Sequence, residues 1–228
     1  MKLLRKIQIF GFTLMCSSHT QNKSFNTKGI LKKHISKSLS SNVMGSVVGK
    51  IREERPEYTV RSSVEGEYEI RVYKPNIAIE TPVSGMGSKE NDSAPFMKLA
   101  GYIGVRTSPQ NTRKEPISMT APVVSVKSSD GTDKMQFILP SKLTEPPEPH
   151  EGTGVSVVKR SEKIMAVKTL SGSWDYQAFE KERDTLLERL TRDGIEILTP
   201  MYWEIYRYNP PWTIPSMRTS EVAIQLEK

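Results

Sequence analysis

The sequence predicts an α+β fold with an antiparallel sheet built from two similar halves. Residues 68–85 (YEIRVYKPNIAIETPVSG) resemble residues 155–172 (VSVVKRSEKIMAVKTLSG), 87 positions later, which indicates an internal duplication. Each copy is followed by a segment of helical periodicity and then by short apolar runs, and strands in such bursts favour an antiparallel sheet over parallel βαβ units. Each half is too small to bury its own apolar face. We therefore expect the halves to share a core and to leave a cleft at their seam.

The first half begins with a predicted hairpin. Apolar and polar residues alternate along residues 68–73, and a Pro-Asn pair predicts a turn into the apolar run 77–83. A helix is expected next, because Ser93 is a candidate N-cap and Pro95 falls in the first turn. The predicted buried stripe of this helix, at spacing i, i+3, i+4, i+7, consists of Phe96, Leu99, Ala100 and Ile103.

The second half contains a predicted helix over residues 174–193, which ends at Gly194. Its apolar side chains, Phe179, Leu186, Leu187 and Leu190, share one face, so the helix is expected to pack on the sheet. Pro122, Pro210 and Pro211 are expected to end strands and to direct the loops. The other predicted strands are ISMTAPVVSV (117–126), KMQFILP (134–140), GIEIL (194–198), MYWEIYRYN (201–209) and SEVAIQL (220–226).

Charge divides the chain into two parts. All 26 acidic residues lie at Glu53 or later, whereas ten of the 33 Lys and Arg residues precede it. The net charge of +7 therefore combines +10 from residues 1–52 with −3 from residues 53–228. We interpret residues 1–52 as a basic leader and residues 53–228 as one folded domain. Nucleic acid is not an expected partner, because the basicity belongs to the leader and not to a folded face.

The leader has three open interpretations. It is basic, rich in Ser and Thr and free of acidic residues, which is typical of a mitochondrial or plastid transit peptide. Its first turn, MKLLRK followed by IQIFGFTLM, has the order of a secretory signal. Alternatively, Met44 begins the functional polypeptide, which would be cytoplasmic. Apolar runs of 18 or more residues are absent from the sequence, so no membrane span is expected.

The body lacks the residues for several kinds of chemistry. The single cysteine, Cys16, lies in the leader, which excludes a disulfide, a cysteine nucleophile and a thiolate metal site from residues 53–228. His150, in the proline-rich loop 144–154, is the only histidine of the body. Without a second histidine, the body is expected to hold no metal. A catalytic Ser-His arrangement would have to use His150, which lies on a polar loop, so hydrolysis by a Ser-His-Asp triad is not expected.

Several separate motifs carry a resemblance to one family. YEIRVY, APFMKLAGYIG, ISMTAPVVS, MQFILP and RYNPPWTIPSMRTSEV occur in an order and at a spacing that resembles the SOUL/haem-binding protein family, from about residue 57 to residue 227. The resemblance implies a distorted antiparallel β-barrel of about eight or nine strands, made of two pseudo-repeated β-α-β-β halves with two external helices. It also implies a shallow apolar cleft that holds haem or another tetrapyrrole.

The resemblance does not bring an iron ligand with it. Some members of the family have a histidine directly before the tyrosine of the first strand, and here that position is Val72. The implied mode of binding is therefore apolar contact with the macrocycle, without an axial histidine, and with cations near the propionates. The sequence leaves open whether the ligand is haem, protoporphyrin or a chlorophyll precursor.

The candidate site residues follow from the matched motifs. The groove candidates are Phe96, Met97, Ala100, Ile103 and Met119, with Trp212 as a wall from the second half, and the candidate cations are Arg71, Lys98 and Arg106. Helical spacing is also typical of core residues, so Phe96 and Ile103 have a structural alternative. Met97 falls off the apolar stripe and is adaptable, which makes it the preferred groove residue.

The resemblance thus predicts a monomer that binds a tetrapyrrole and is not an enzyme. Two other functions stay open. Glu204 lies between Tyr202 and Tyr206 on one side of a strand. A raised pKa would make it the general base of a small-molecule hydrolase of the gyrase-inhibitor-like type, although a solvated outer-face residue is the more typical interpretation. The loop 144–154 would instead suit the docking segment of a scaffold protein that binds other proteins.

Overall fold

A computed structural model describes residues 46–86, 89–105, 107–128 and 130–227. Most of the predicted leader, including Cys16 and the candidate start at Met44, lies outside these residues, and so does Arg106. The interpretations of the leader therefore stay predictions. Within the described residues the chain forms one nine-stranded sheet and two long helices.

The elements are numbered in chain order. They are β1 Tyr58–Val64, β2 Tyr68–Tyr73, β3 Asn76–Pro82, α1 Lys89–Ile103, β4 Val123–Lys127, β5 Lys134–Ile138, β6 Ser156–Arg160, β7 Lys163–Ser171, α2 Tyr176–Arg192, β8 Trp203–Arg207, a 3₁₀ turn Pro215–Met217, and β9 Thr219–Gln225.

The sheet is antiparallel throughout and curls into a half-barrel, which confirms the predicted α+β class. Its strand order is β1-β2-β7-β9-β8-β4-β5-β3-β6. The order of elements β2-β3-α1-β4-β5 recurs as β6-β7-α2-β8-β9. If each strand of one half is replaced by its counterpart in the other half, the strand order from β2 to β6 is recovered in the reverse direction. The duplication of the sequence itself stays a prediction.

The predicted hairpin between residues 68–73 and 77–83 is wrong. The strand β2 pairs with β1 and β7, and β3 pairs with β5 and β6, so the two strands separate after the turn. Each pairs with a strand of the other half, β2 with β7 and β3 with β6. Adjacent strands in sequence usually pair with each other, and the exchange between halves is a tertiary arrangement that local turn signals do not report.

Three further element predictions need correction. The strand β1 was not predicted, because all of its residues are exposed and burial leaves no period along it; its pairing with β2 shifts register between Val60 and Ser62. The strand predicted over residues 117–126 begins only at Val123, after the cis peptide bond between Ala121 and Pro122. The segment 194–198 makes one isolated bridge, between Ile197 and Leu226, since β9 is already paired on both sides by β7 and β8.

The first helix starts earlier than its cap signal predicted. It begins at Lys89, so Ser93 is not its N-cap and Pro95 lies inside it. Its first turns are held against the sheet by Asp92, which lies 3.7 Å from the Arg207 guanidinium of β8. The second helix agrees with its prediction: Asp175 accepts a hydrogen bond from the Ala178 N–H, and Gly194 follows the C-terminus with a φ of 67°.

The helices cover one face of the sheet, which we call the outer face; the opposite surface is the inner face. The helix α1 packs on β3 and β5, and α2 packs on β9. Under α1 lies a buried apolar cluster that includes Leu99, Ile103 and Phe137, and under α2 lies a second cluster that includes Phe179 and Leu190. These clusters are the main apolar core.

Candidate ligand-binding site

The helix α1 places the predicted groove residues at different depths. Ala100 and Ile103 are fully buried in the outer-face cluster. Phe96 is half-buried, and its ring meets the ring of Phe137 edge to face with 5.2 Å between centroids. A ligand on this surface would therefore contact Phe96, whereas Ala100 and Ile103 form a floor beneath it and are not groove walls.

Met97 and Lys98 lie on the exposed side of the same helix. Met97 is 46% exposed, which is unusual for a large apolar side chain. Lys98 lies beside the loop before β6: a Cβ added at Gly154 would be 3.5 Å from the Lys98 Nζ. A cation and an exposed apolar side chain are thus adjacent in sequence on one helix.

Met119 is half-buried and packs against the same cluster as Phe96. The residue after it, Thr120, donates a hydrogen bond to the Ile138 carbonyl oxygen at the end of β5. That bond fixes the MTAP turn against the sheet. The structure therefore brings Phe96, Ala100, Ile103 and Met119 into one cluster, and it places Met97 and Lys98 on the helix that covers the cluster.

Loops hold the C-terminal end of α1 rigidly. The Gln110 N–H donates to the Gly101 carbonyl oxygen at 2.9 Å, and the Tyr102 hydroxyl donates to the Pro147 carbonyl oxygen at 2.5 Å. Gly101 and the Gln110 side chain approach closely, since a Cβ at Gly101 would lie 3.1 Å from the Gln110 Oε1. The surface around α1 is thus preorganised, which lowers the entropic cost of binding a rigid ligand.

Two of the predicted site residues lie elsewhere. Arg71 is only 4% exposed on the inner face, where its Nη1 lies 2.9 Å from the Glu221 Oε1, so it is not a rim cation. Trp212 lies on the loop before β9, and its indole N–H donates to the Ser46 Oγ. Arg71 was chosen for its nearness in sequence to the groove motifs, and Trp212 was chosen as a wall from the second half. Arg71 lies on the polar side of the alternating strand β2, and in the folded chain this side is buried as well.

Glu204 is fully buried at the centre of an ion-pair network, which corrects its interpretation as a solvated residue. Its carboxylate lies 2.6 Å from the Arg160 Nη2 and 3.0 Å from the Lys163 Nζ. The hydroxyls of Tyr202 and Tyr206 also donate to it. Both cations flank the turn between β6 and β7, so this turn reaches across the inner face to the central strand β8.

This environment contradicts the raised pKa of Glu204 that the hydrolase alternative requires. Desolvation by burial raises the pKa, but the charges of Arg160 and Lys163 and the hydrogen bond from Tyr202 outweigh it and hold the pKa well below the usual range of a carboxyl group. A carboxylate that is already neutralised by two cations is a poor proton acceptor near neutral pH. The structure thus gives no support to Glu204 as a general base.

A second buried carboxylate, Glu221, lies on the neighbouring strand β9. It accepts hydrogen bonds from the Arg71 guanidinium, the Thr169 hydroxyl and the Tyr208 hydroxyl. We call the groups around Glu204 and Glu221 the inner polar network. The network was not predicted from the sequence, because alternation places Glu221 and Arg71 on the opposite side of their strands from Val222 and Val72 but does not show that the two charged residues meet.

The inner face has little free volume. A cavity of about 10 Å³ is lined by Tyr73, Arg160, Lys163, Met165 and Tyr206 among others, and it has room for about one water molecule. Drug-sized ligands occupy pockets of about 300–1,000 Å³, so a tetrapyrrole does not fit here. An open surface groove of about 440 Å³ lies beside β1, lined by Arg55, Pro56, Glu57, Tyr58, Thr59 and Lys74.

Within residues 46–86, 89–105, 107–128 and 130–227, no group of three His, Cys, Asp or Glu side chains is placed to hold a metal ion. None of the helices in the same ranges has the length and apolar character that crossing a bilayer requires.

The fold and its surfaces define an α+β half-barrel of two similarly ordered halves, with an apolar surface on the first helix and an inner face filled by apolar side chains together with the inner polar network. The chain belongs to the SOUL heme-binding protein family, whose model matches residues 53–225. This confirms the resemblance seen in the sequence motifs. The family is generally one of binding proteins and not of enzymes.

Two named relatives agree with this assignment, and one solved structure shares the fold. The chain is 30% identical to Heme-binding protein 2 of Homo sapiens over 153 residues, which cover 64% of this chain and 72% of that protein. It is 29% identical to Heme-binding protein 2 of Mus musculus over 136 residues, 57% of this chain and 64% of that protein. The crystal structure of the EcmrR C-terminal domain matches with a TM-score of 0.51 at 12% identity, covering 71% of this chain and 98% of that one. At such identity the likeness shows the fold alone.

Proposed function

We propose that this protein binds haem or another tetrapyrrole on the exposed side of α1 and acts as its carrier or buffer. Membership of the SOUL heme-binding protein family and similarity to two Heme-binding protein 2 sequences support haem as the ligand. The observation that carries the location is the exposure of Met97 beside the half-buried Phe96.

The surface around Met97 has the chemistry that a tetrapyrrole needs. A flat macrocycle gains affinity by covering apolar area, and Met97, Phe96 and Met119 offer such area above a packed floor. Methionine side chains adapt to the shape of a ligand. Lys98 supplies a cation next to Met97, where it would pair with a propionate at the rim.

Binding is proposed to proceed without an axial histidine. The position that carries a histidine in some members of the family is Val72 here, so β2 offers no imidazole. The Val72 side chain is half-buried and packs against the outer-face cluster under α2. Affinity would then come from the macrocycle and its carboxylates and not from the iron. Haemin and metal-free protoporphyrin should consequently bind with similar affinity, one per chain.

A titration of the full chain with haemin and with protoporphyrin tests this mode of binding. We expect dissociation constants within about tenfold of each other, a difference of about 1.4 kcal/mol or less. The Soret spectrum of the ferric complex should lack the low-spin signature of two imidazole ligands. A thousandfold preference for haemin would show that an iron ligand dominates.

The site itself is tested by Met97→Glu, which places a charge on the proposed groove. Burying an unpaired polar group costs about 1–3 kcal/mol or more, so porphyrin affinity should fall at least about tenfold. Met201→Glu is the matched control, because Met201 is 62% exposed on the loop before β8 and receives the same charge. Equal affinity of the two variants would exclude the α1 surface and direct the search to the groove beside β1.

A further inference from the structure

The strand β1 ends the sheet with one edge unpaired. In the part of the chain that the structure describes, β1 pairs with β2 alone, and all seven of its residues are exposed. Such an edge presents a row of N–H and C=O groups to which another strand can bond. The opposite edge strand, β6, is shorter and carries the exposed Lys159, a typical protection against strand addition. The edge of β1 is therefore the more accessible of the two.

The pairing of β1 with β2 decides which backbone groups face outward. The Lys74 N–H donates to the Glu57 carbonyl oxygen at 3.0 Å, so the backbone polar groups of Glu57 point toward β2. In an antiparallel pair, hydrogen-bonded and non-hydrogen-bonded positions alternate along each strand. Thr59 therefore also bonds to β2, whereas the N–H and C=O groups of Tyr58 and Val60 point away from the sheet.

Contacts within the chain fix the side chains of the same segment. Tyr58 lies opposite Tyr73, and Val60 lies opposite Arg71, on the inner-face side of β2. The Tyr58 ring packs on Tyr73 with 5.1 Å between centroids, and the Arg71 guanidinium lies 4.5 Å from the centroid of the Tyr58 ring. Tyr58 and Val60 are nevertheless 39% and 51% exposed. Two apolar side chains are thus held in place beside the open edge.

The segment 57–61, Glu-Tyr-Thr-Val-Arg, is complementary to itself when two copies run antiparallel. With Thr59 at the two-fold axis, Tyr58 lies opposite Val60 of the second copy, and Glu57 lies opposite Arg61 of the second copy. Aromatic–β-branched pairs and opposite-charge pairs both stabilise neighbouring strands. Tyr58 and Val60 are also the residues whose backbone groups point outward, so side-chain pairing and hydrogen bonding require the same register.

Other registers are less favourable. The register centred on Tyr58 places Arg61 opposite Arg55, and the register centred on Arg61 places two copies of Arg61 opposite each other, so like charges meet in both. The register centred on Val60 runs across the irregularity in the β1–β2 pairing between Val60 and Ser62, which disrupts the ladder. The register centred on Thr59 is therefore the favoured one.

We propose that two copies of this chain associate through antiparallel pairing of their β1 strands, with the two-fold axis at Thr59. Tyr58 and Val60 of each copy exchange backbone hydrogen bonds with Val60 and Tyr58 of the other. Because the pairing uses the free β1 edge of both copies, assembly stops at two. The open groove of about 440 Å³ lies along the same segment, and the second copy covers it. The dimer replaces the monomer that the resemblance predicts, and it is independent of tetrapyrrole binding, which uses α1.

Sedimentation velocity of the full chain without ligand tests the proposal. The paired segments are short, and an interface below the about 1,200 Å² that stable complexes bury dissociates on dilution, so we expect a monomer–dimer equilibrium. Arg61→Glu replaces two attractive charge pairs by repulsive ones and should weaken the dimer by about tenfold or more. Lys159→Glu is the matched control, because it makes the same change of charge on the exposed side of β6, and it should leave the equilibrium unchanged.

The double variant Glu57→Arg/Arg61→Glu tests the register. It restores opposite charges across the two-fold axis, so its dissociation constant should return to within about threefold of the wild-type value. Glu57 loses its ion pair with Lys74 in this variant, but the two side chains are 65% and 63% exposed, and such pairs contribute little to stability. A double variant that dimerises as weakly as Arg61→Glu alone would overturn the proposal.

Amide hydrogen exchange measured by NMR locates the interface. The Tyr58 and Val60 N–H groups should exchange more slowly as the protein concentration rises, whereas the Thr59 N–H, which already bonds to β2, should be unaffected. Val60→Pro removes an outward donor at an edge position that tolerates proline, so it should weaken the dimer at least about tenfold while circular dichroism stays equal to wild type. A chain that stays monomeric up to about 1 mM would overturn the proposal. So would a dimer that Val60→Pro and Arg61→Glu leave unchanged, because it would use another surface.

Discussion

The two faces of the sheet are both buried, but the inner face combines an apolar cluster, which includes Val124, Met165 and Ala223, with a network of buried charges. The outer face is covered by α1 and α2 and filled with Leu, Ile, Phe and Val side chains. The inner face holds two carboxylates, Glu204 and Glu221, with the arginines, lysine and tyrosines that neutralise them. A single strand serves both faces, since Trp203 and Ile205 point outward while Glu204 points inward.

The difference shows where stability and specificity arise in this fold. Apolar burial on the outer face is stabilising without regard to precise partners. Buried charges are stabilising only in relation to each other, because each one is costly when its partner is missing. The inner polar network also links the turn after β6 to the central strand β8, and thereby joins the two halves of the chain.

Removing one cation of the network should have the largest effect. Arg160→Ala leaves Glu204 buried with one cation fewer, and we expect a loss of about 3–5 kcal/mol in the free energy of unfolding. Urea denaturation followed by circular dichroism measures it. Lys159→Ala, an exposed neighbour on the same strand, should change stability by less than about 0.5 kcal/mol. A loss below about 1 kcal/mol for Arg160→Ala would show that Lys163 alone suffices.

The outer face should respond to the loss of volume. Leu99→Ala removes a fully buried side chain from the cluster under α1, which should cost about 3 kcal/mol through lost transfer free energy and the cavity left behind. Met97→Ala on the same helix is the control and should be nearly neutral, because Met97 is largely exposed. Equal losses for the two variants in denaturation experiments would contradict the described orientation of α1.

The pH dependence of stability should separate the two faces. The pKa of Glu204 is lower in the folded chain than in the unfolded chain, so its contribution is present above the unfolded pKa of about 4.3 and is lost as pH falls toward the folded pKa. The difference in the free energy of unfolding between wild type and Glu204→Gln, which we call the stability gap, should therefore narrow by about 1.4 kcal/mol or more as pH is lowered from about 7 to about 3. The gap between wild type and Leu99→Ala should stay constant over the same range. A gap for Glu204→Gln that is independent of pH would refute the ionised, paired state of Glu204.

The accuracy of the sequence analysis differs between these faces for a physical reason. The spacing of apolar residues correctly predicted the helix α2 and the two sides of the strand β2, because the residues that pack between the helices and the sheet recur with the period of each element. The same reasoning assigned Arg71 to a rim and Glu204 to solvent, because charged residues are mostly exposed. Their burial depends on partners 44 and 150 residues away in sequence, which no local pattern contains.

The candidate site shows a similar division. Met97 was singled out because it falls off the apolar stripe, and the structure does expose it, although its contact with a ligand stays a prediction. Trp212 was chosen as a wall from the second half, and the structure places its indole N–H against Ser46. Which side chains of the two halves meet depends on how strands pair between the halves, and the motifs do not specify that pairing.

The sequence by itself determined the α+β class, the two helices, most of the strands and the family, since these depend on periodicity and on local motifs. The tertiary structure alone decided which strands pair, that β2 and β3 separate to join opposite halves, and that the second face of the sheet encloses charge. Those features depend on contacts between residues far apart in the chain, and their energies exist only once both halves have come together.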